Sequence, residues 1–268
     1  MSTTHVMLKN PTPGPKETGR LVLVTGSCGR IGYSFCQHAA EFYRLRITDI
    51  SGRPIEKLSG LGETVTGNLA DMQFADEVCR DVDTVIHLAA NPATRANWEE
   101  LHDSNFVAAH NIFEAAAQAG CRRLIFPSSI NAVSAYPRGY QIRPEDPPNP
   151  ANLYGASKAF GEAMARLFAS RRALSCIALR IGAVSTREEG ERMNKLWMMN
   201  MFISYRDLNQ LICRCIDNRD LQFALLHALS DNPFNRMNIN SARELVGFAP
   251  QDSIARINQR WKALMDTN

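Results

Sequence analysis

No apolar run in the chain approaches the length of about 20 residues that a membrane-spanning helix needs. There is no block of like charge either. Thirty basic residues stand against 27 acidic ones, a formal net charge of +3 spread along the sequence. That balance gives no reason to expect a nucleic-acid or membrane-surface partner. The seven cysteines (Cys28, Cys36, Cys79, Cys121, Cys176, Cys213 and Cys215) are odd in number and contain no CxxC pair. Cys213 and Cys215 are too close for a usual zinc half-site. Most lie in apolar stretches, which fits buried thiols in a reducing compartment. His87 lies within an apolar run, and His38, His102 and His110 lack ligand-spaced partners, so no metal is expected. Internal repeats are absent, and the only biased stretch is a proline-containing start, with Pro11, Pro13 and Pro15. Residues 1–19 lack the apolar core of a signal peptide and are expected to form a flexible tail, with the protein in the cytoplasm.

What remains is an ordinary globular composition. A chain of 268 residues, 45% apolar and 21% charged, suffices for one large domain with a sizeable core. Strand-like runs alternate with helical ones. Strands are expected at Leu21–Val24, Leu45–Asp49, Thr64–Gly67, Thr84–Ala90, Leu124–Ser128 and Cys176–Ile181. Helices are expected at Arg30–Glu41, Ala70–Cys79, Asn105–Ala119 and Tyr154–Ala169, the last with Phe160, Met164, Leu167 and Phe168 on one face. Beyond Gly182 the pattern weakens; Asp207–Ile216, with Asp207 near its N-cap, Asn240–Val246 and Ser253–Leu264 read as helices. The expected fold is α/β, a Rossmann-type doubly wound parallel sheet with a small C-terminal substrate-capping region. Residues 20–182 would form the nucleotide-binding domain and 183–268 the cap packed on it.

The first strand runs into Thr25-Gly26-Ser27-Cys28-Gly29-Arg30-Ile31-Gly32, a GxxGxxG spacing between strand and helix. Gly26 permits a tight turn, Gly29 lets a pyrophosphate approach the backbone, and Gly32 lets the helix pack close to the strand. The free N–H groups and positive end of the helix suit phosphate. Asp49 closes the second strand, 23 residues after Gly26. A carboxylate there accepts from ribose hydroxyls and repels a 2′-phosphate, so NAD is the expected cofactor. Asn68 or Leu69 could contact the adenine, and Ala89 and Ala90 could line the cofactor channel.

Tyr154 and Lys158 are spaced i, i+4 on one helix face. A phenol of pKa about 10 is a poor base near neutrality, and a neighbouring ammonium favours its ionised form. Such a pair moves a proton on a substrate hydroxyl while hydride passes to nicotinamide. The pair recurs by chance in many helices, but here it follows a nucleotide fingerprint. The strand Leu124–Ser128 also brings a serine to the same sheet edge, where it could stabilise developing charge.

TGSCGRIG, Asp49, HLAA at His87–Ala90, Asn105, PSS at Pro127–Ser129, YGASK and RIG at Arg180–Gly182 together resemble the extended short-chain dehydrogenases/reductases, over roughly residues 20–216. The resemblance implies Tyr154 as acid/base, Lys158 on the nicotinamide ribose, and Ser129 rather than Ser128 as the assisting serine. Within that superfamily the chain is similar to the uronate dehydrogenases, on SSINAVSAYP, LYGASKAFGE, RIGAV, ERM at Glu191–Met193 and the segment Ile203–Ile212. That likeness implies NAD-dependent oxidation of a hexuronic acid at its anomeric carbon, with Arg192 on the carboxylate. The substrate residues expected are therefore Ser129, Ile130, Asn131 and Arg192. Three positions depart from the pattern: Ile130-Asn131 for Asn-His, Ala183 for serine and Pro92 for serine. Fewer hydroxyl partners should alter the binding of a polyhydroxylated acid. The resemblance also implies a homodimer formed through Asn105–Ala119 and Tyr154–Ala169.

Two other readings stand beside a dehydrogenase. A sugar epimerase or dehydratase of the same superfamily would reduce NAD only transiently, and the short C-terminal part argues against it. A regulatory protein that binds NAD without chemistry would not need an intact Ser129, Tyr154 and Lys158.

Overall fold

A computed structural model describes residues 19–266. The expected tail therefore lies, Gly19 apart, outside the described residues. In chain order, β1 (Leu21–Thr25), α1 (Arg30–Ala39), β2 (Arg44–Asp49), β3 (Glu63–Thr66), α2 (Met72–Cys79), β4 (Thr84–His87), α3 (Trp98–Leu101), α4 (Ala108–Gln118), β5 (Arg123–Ser129), α5 (Leu153–Arg171) and β6 (Ser175–Ile181) follow one another. Then come β7 (Ala183–Ser185), α6 (Arg187–Arg192), α7 (Leu196–Met199), β8 (Phe202–Ser204), α8 (Tyr205–Asp217), β9 (Phe223–Ala228), α9 (Asn240–Val246), α10 (Ile254–Ile257) and α11 (Gln259–Asp266).

Seven strands form one sheet in the order β3-β2-β1-β4-β5-β6-β9, and every pairing is parallel. Strand side chains alternate between faces. Val22 and Val24 of β1 join Phe35, Ile47, Leu208 and Ile212 in one core, under α1 and α8. Leu21 and Leu23 join Ile112, Phe113, Phe126 and Phe168 in the other, under α2, α4 and α5. Each such side chain, fully buried, contributes about 1.5–3 kcal/mol. Two smaller apolar clusters, around Val133, Ile142 and Leu229 and around Met199, Phe202 and Trp261, sit over the C-terminal part.

Several elements differ from the sequence pattern. Segment 183–268 contributes β9 to the main sheet and α8 to one of its faces, so the packing is continuous across Gly182. The helix expected from Asn105 begins earlier, at Trp98, behind a capping box of Asn97 and Glu100. It passes through a π-helical stretch at His102–Val107 before α4. Asn105 accounts for that stretch: its side chain bonds both backbone groups of Asn91, pulling the helix out of register. The N-cap of α8 is Ser204, which accepts from the Asp207 N–H, while the Asp207 carboxylate takes the N–H groups of Gln251 and Asp252. On α5, Met164 and Phe168 are buried, but Leu167 is half exposed.

Candidate active site

Gly26 ends β1 with φ +63°, a conformation L side chains avoid. A Cβ there would lie 2.5 Å from the Ala89 nitrogen, and one on Gly32 would lie 2.4 Å from the Gly26 carbonyl oxygen. The loop thus forms a cradle that side chains would fill. Gly29 is the N-cap of α1 and no side chain caps it, so the first-turn N–H groups stay available to an anion. Beside it opens a cavity of about 450 Å³ lined by Cys28, Gly29, Arg30, Tyr33, Ser34, Thr186 and Tyr205. The Arg30 guanidinium reaches across to both Glu189 oxygens at 2.6 Å and lies 5.9 Å from the Tyr205 ring centroid. Its main-chain N–H is therefore the group it can offer a phosphate. Ile31 packs into the core below.

Asp49 holds the loop. Its carboxylate accepts the Cys28 N–H at 2.7 Å and the Ile50 N–H at 2.8 Å. Each oxygen keeps a lone pair for a ribose hydroxyl. Asn68 is exposed and its side chain closes a turn onto the Ala70 N–H, whereas the Leu69 side chain is buried in the core. Asn68 could then offer its Nδ2 to an adenine, and Leu69 its main chain. Ala89 and Ala90 are half-buried beyond the end of β4, and the Ala89 N–H donates to Thr25 Oγ1 at 3.1 Å. These residues fit a dinucleotide: a side-chain-free cradle, open helix N–H groups, and a carboxylate at the adenosine end.

Ser129 ends β5, and Tyr154 and Lys158 lie in the first two turns of α5. Lys158 is 6% exposed, with Nζ 5.1 Å from the Phe126 ring centroid and 5.7 Å from that of Tyr154. Burial pushes its ammonium from 10.5 down to about 8. The Tyr154 phenol moves the other way. Burial raises it, and the group that opposes this is the Ser129 hydroxyl, not the Lys158 ammonium expected from the spacing. The ammonium lies over the face of the ring. His87 of β4 faces Lys158, and burial together with that cation pushes it down to about 3, so the ring is neutral.

Behind this trio runs a buried polar layer that the sequence reading missed. Ser128 donates to Glu162 at 2.6 Å, and Arg180 pairs with both Glu162 oxygens at 2.9 Å. Glu162 is one turn beyond Lys158, so the i, i+4, i+8 repeat of polar residues was the available signal. Ser128, set aside as the less favoured serine, is fully committed here. Asn105 holds the Ser157 hydroxyl at 3.0 Å, and that hydroxyl donates to the Tyr154 carbonyl at 2.7 Å.

The other expected substrate residues are less alike. Ile130 is half-buried and packs with the Val133–Leu229 cluster beside Tyr136 and Met201. Asn131 bonds Ser129 and Asn152. Arg192 is exposed at the end of α6, and among the described residues no hydrogen bond ties it to Ser129, Tyr154 or Lys158. Pro92 is exposed and Ala183 half-buried.

Known proteins resemble the chain in sequence and fold. An NAD-dependent glucose-6-phosphate dehydrogenase of Haloferax volcanii is 31% identical over 252 residues, covering 87% of this chain and 94% of its own. A uronate dehydrogenase of Pseudomonas putida is 30% identical over 234 residues, covering 87% and 84%. The crystal structure of uronate dehydrogenase from Agrobacterium tumefaciens superposes with a TM-score of 0.79 at 25% identity, covering 91% of this chain and 89% of that one. A family model described as the NAD dependent epimerase/dehydratase family matches residues 22–211, from β1 into α8, and the chain belongs to that family.

Proposed function

We propose that the protein is an NAD-dependent dehydrogenase of an anionic sugar, a uronic acid or a close relative. The observation that carries this is the convergence of Ser129, Tyr154 and Lys158 at the same sheet edge as the glycine cradle. NAD, when bound, accepts the hydride and brings a positive ring to the site. Gly26, Gly29, Gly32 and the N–H groups of Arg30 and Ile31 would hold the pyrophosphate, and Asp49 the adenosine ribose. Lys158 would hold the nicotinamide ribose, and Tyr154 would take the proton of the substrate hydroxyl. Both curated relatives named above are dehydrogenases of anionic sugars, and the exposed Arg192 supplies a cation for such a group. The apolar packing of Ile130 supports a pocket with fewer hydroxyl partners than a uronate site offers. The part of 183–268 outside the sheet would cover the substrate.

We further propose a cytoplasmic homodimer. The six buried thiols and unpaired Cys28 suit a reducing compartment. Trp98 and Leu167 are about half exposed, and a ring chain Trp98–Phe106–Phe160 links α3 to α5. The experiment is NADH formation from NAD with glucuronate, galacturonate and glucose 6-phosphate against glucose and galactose. Turnover of the anionic sugars alone is expected. Tyr154→Phe should lower kcat by about 100-fold or more while leaving NAD affinity in place. Interconversion of sugars without net NADH would overturn the dehydrogenase in favour of an epimerase.

A further inference from the structure

The N-terminus of α5 and the end of β5 are joined by a chain of hydrogen bonds that runs in one direction. The Gly155 main-chain N–H donates to Asn152 Oδ1 at 2.7 Å. A main-chain N–H can only donate, so this contact decides which end of the Asn152 amide is which. Asn152 Nδ2 donates in turn to Asn131 Oδ1 at 3.1 Å. Asn131 then presents Nδ2 to Ser129 Oγ at 3.3 Å, and its main-chain N–H reaches the same oxygen at 3.1 Å. A serine hydroxyl has two acceptor lone pairs and one hydrogen. Both lone pairs of Ser129 are filled from one side, and only its hydrogen is left to act.

We propose that Asn131 and Asn152 are positioning residues that fix Ser129 as a hydrogen-bond donor to the reacting oxygen. That oxygen is the Tyr154 phenolate, or the substrate oxygen that exchanges a proton with it. The proposal rests on the reading of Ser129 and Tyr154 as reacting groups. Asn131, expected at the substrate, then acts through Ser129 instead. Its place is held from both sides. A Cβ on Gly155 would lie 2.2 Å from the Asn131 carbonyl oxygen, and Ser134 Oγ donates to that oxygen at 3.1 Å while accepting the Ala151 N–H. A serine able to donate and accept would stabilise phenol and phenolate alike. One that only donates favours the phenolate, which burial alone disfavours at this site. Among the described residues, the other charged or titratable groups near Tyr154 are Lys158 on its own helix and, beyond it, the neutral His87 on β4. Glu162 and Arg180 neutralise each other in the layer behind.

Asn152→Ser tests this, because serine keeps an N-cap oxygen for Gly155 and removes only the Nδ2 donor. The readout is the phenolate fraction of Tyr154 at a fixed alkaline pH, from ¹³Cζ-tyrosine NMR of the full chain with NAD, assigned with Tyr154→Phe. The fraction is expected to fall about tenfold, the scale of one lost hydrogen bond to a charged group, with Tm unchanged. Asn131→Leu cuts the same chain next to Ser129 and should act in the same direction. In glucuronate oxidation the loss should fall on kcat and spare KM. An unchanged phenolate fraction in folded Asn152→Ser overturns the proposal. Failure of the functional reading looks different: no sugar yields NADH, yet the phenolate fraction still responds to Asn152→Ser.

Discussion

Lys158 is a cation buried against two aromatic rings, with no carboxylate at ion-pair distance among the described residues. Such a group weakens the fold while it is charged. Its folded value of about 8 lies below its ordinary 10.5, so between those values the unfolded chain binds more protons and stability rises with pH. Lys158→Met should therefore stabilise the NAD-free chain at pH 7, by up to about 3 kcal/mol, and abolish turnover. The gain should shrink as pH climbs from 8 toward 10.5, which thermal melts at neutral and alkaline pH would reveal. A gain that does not change with pH would mean that packing, and not charge, is responsible. The placement of Ser129 at a strand end and of Tyr154 and Lys158 near the start of one helix was legible in the sequence, because motif spacing fixes helix face and strand end. Their electrostatics were not, because the direction of the Tyr154 shift depends on burial and on where the ammonium points. The commitment of Asn131 to Asn152, 21 residues away, was equally invisible.

At the scale of elements, β1, β2, β4, β5 and β6 were legible as apolar runs bounded by glycine or polar turns, and α5 as a periodic stripe. β9 was not. Its sequence, Phe-Ala-Leu-Leu-His-Ala, is a short run in which helix and strand signals coincide, and its partner β6 lies more than 40 residues back. The three-residue strands β7 and β8 are shorter than any periodicity can register. A long-range tie of a different kind is Arg123, at the start of β5 and 1% exposed. Its guanidinium donates to the carbonyls of Cys215 and Asn218 at the end of α8, to Leu221, and to the Ser175 hydroxyl. Burial lowers it to about 10. Arg123→Met should leave those helix-end carbonyls without donors and destabilise the chain by about 2–4 kcal/mol in urea unfolding, with little change in slope. A loss below about 0.5 kcal/mol would show that water replaces the guanidinium there.

At the scale of the whole molecule, the proposed dimer makes α4 and α5 an interface, with Trp98 of α3 at its border and Leu167 one of its contacts. Leu167→Glu places a charge on that face and should halve the mass seen by light scattering, with Tm little changed because the side chain is half exposed. A wild-type chain that already runs as a monomer would remove the proposal. The sheet order has a consequence for synthesis. β6 ends at Ile181 and its outer neighbour β9 begins at Phe223. A ribosome adding about 5–20 residues per second needs roughly 2–8 s to cross that gap. Throughout that interval the nascent chain carries an open edge on Ser-Cys-Ile-Ala-Leu-Arg-Ile, a mostly apolar strand buried along its whole length in the finished protein. The soluble yield should then depend on how quickly codons 182–222 are read and on whether a chaperone shields that edge until the last strand arrives.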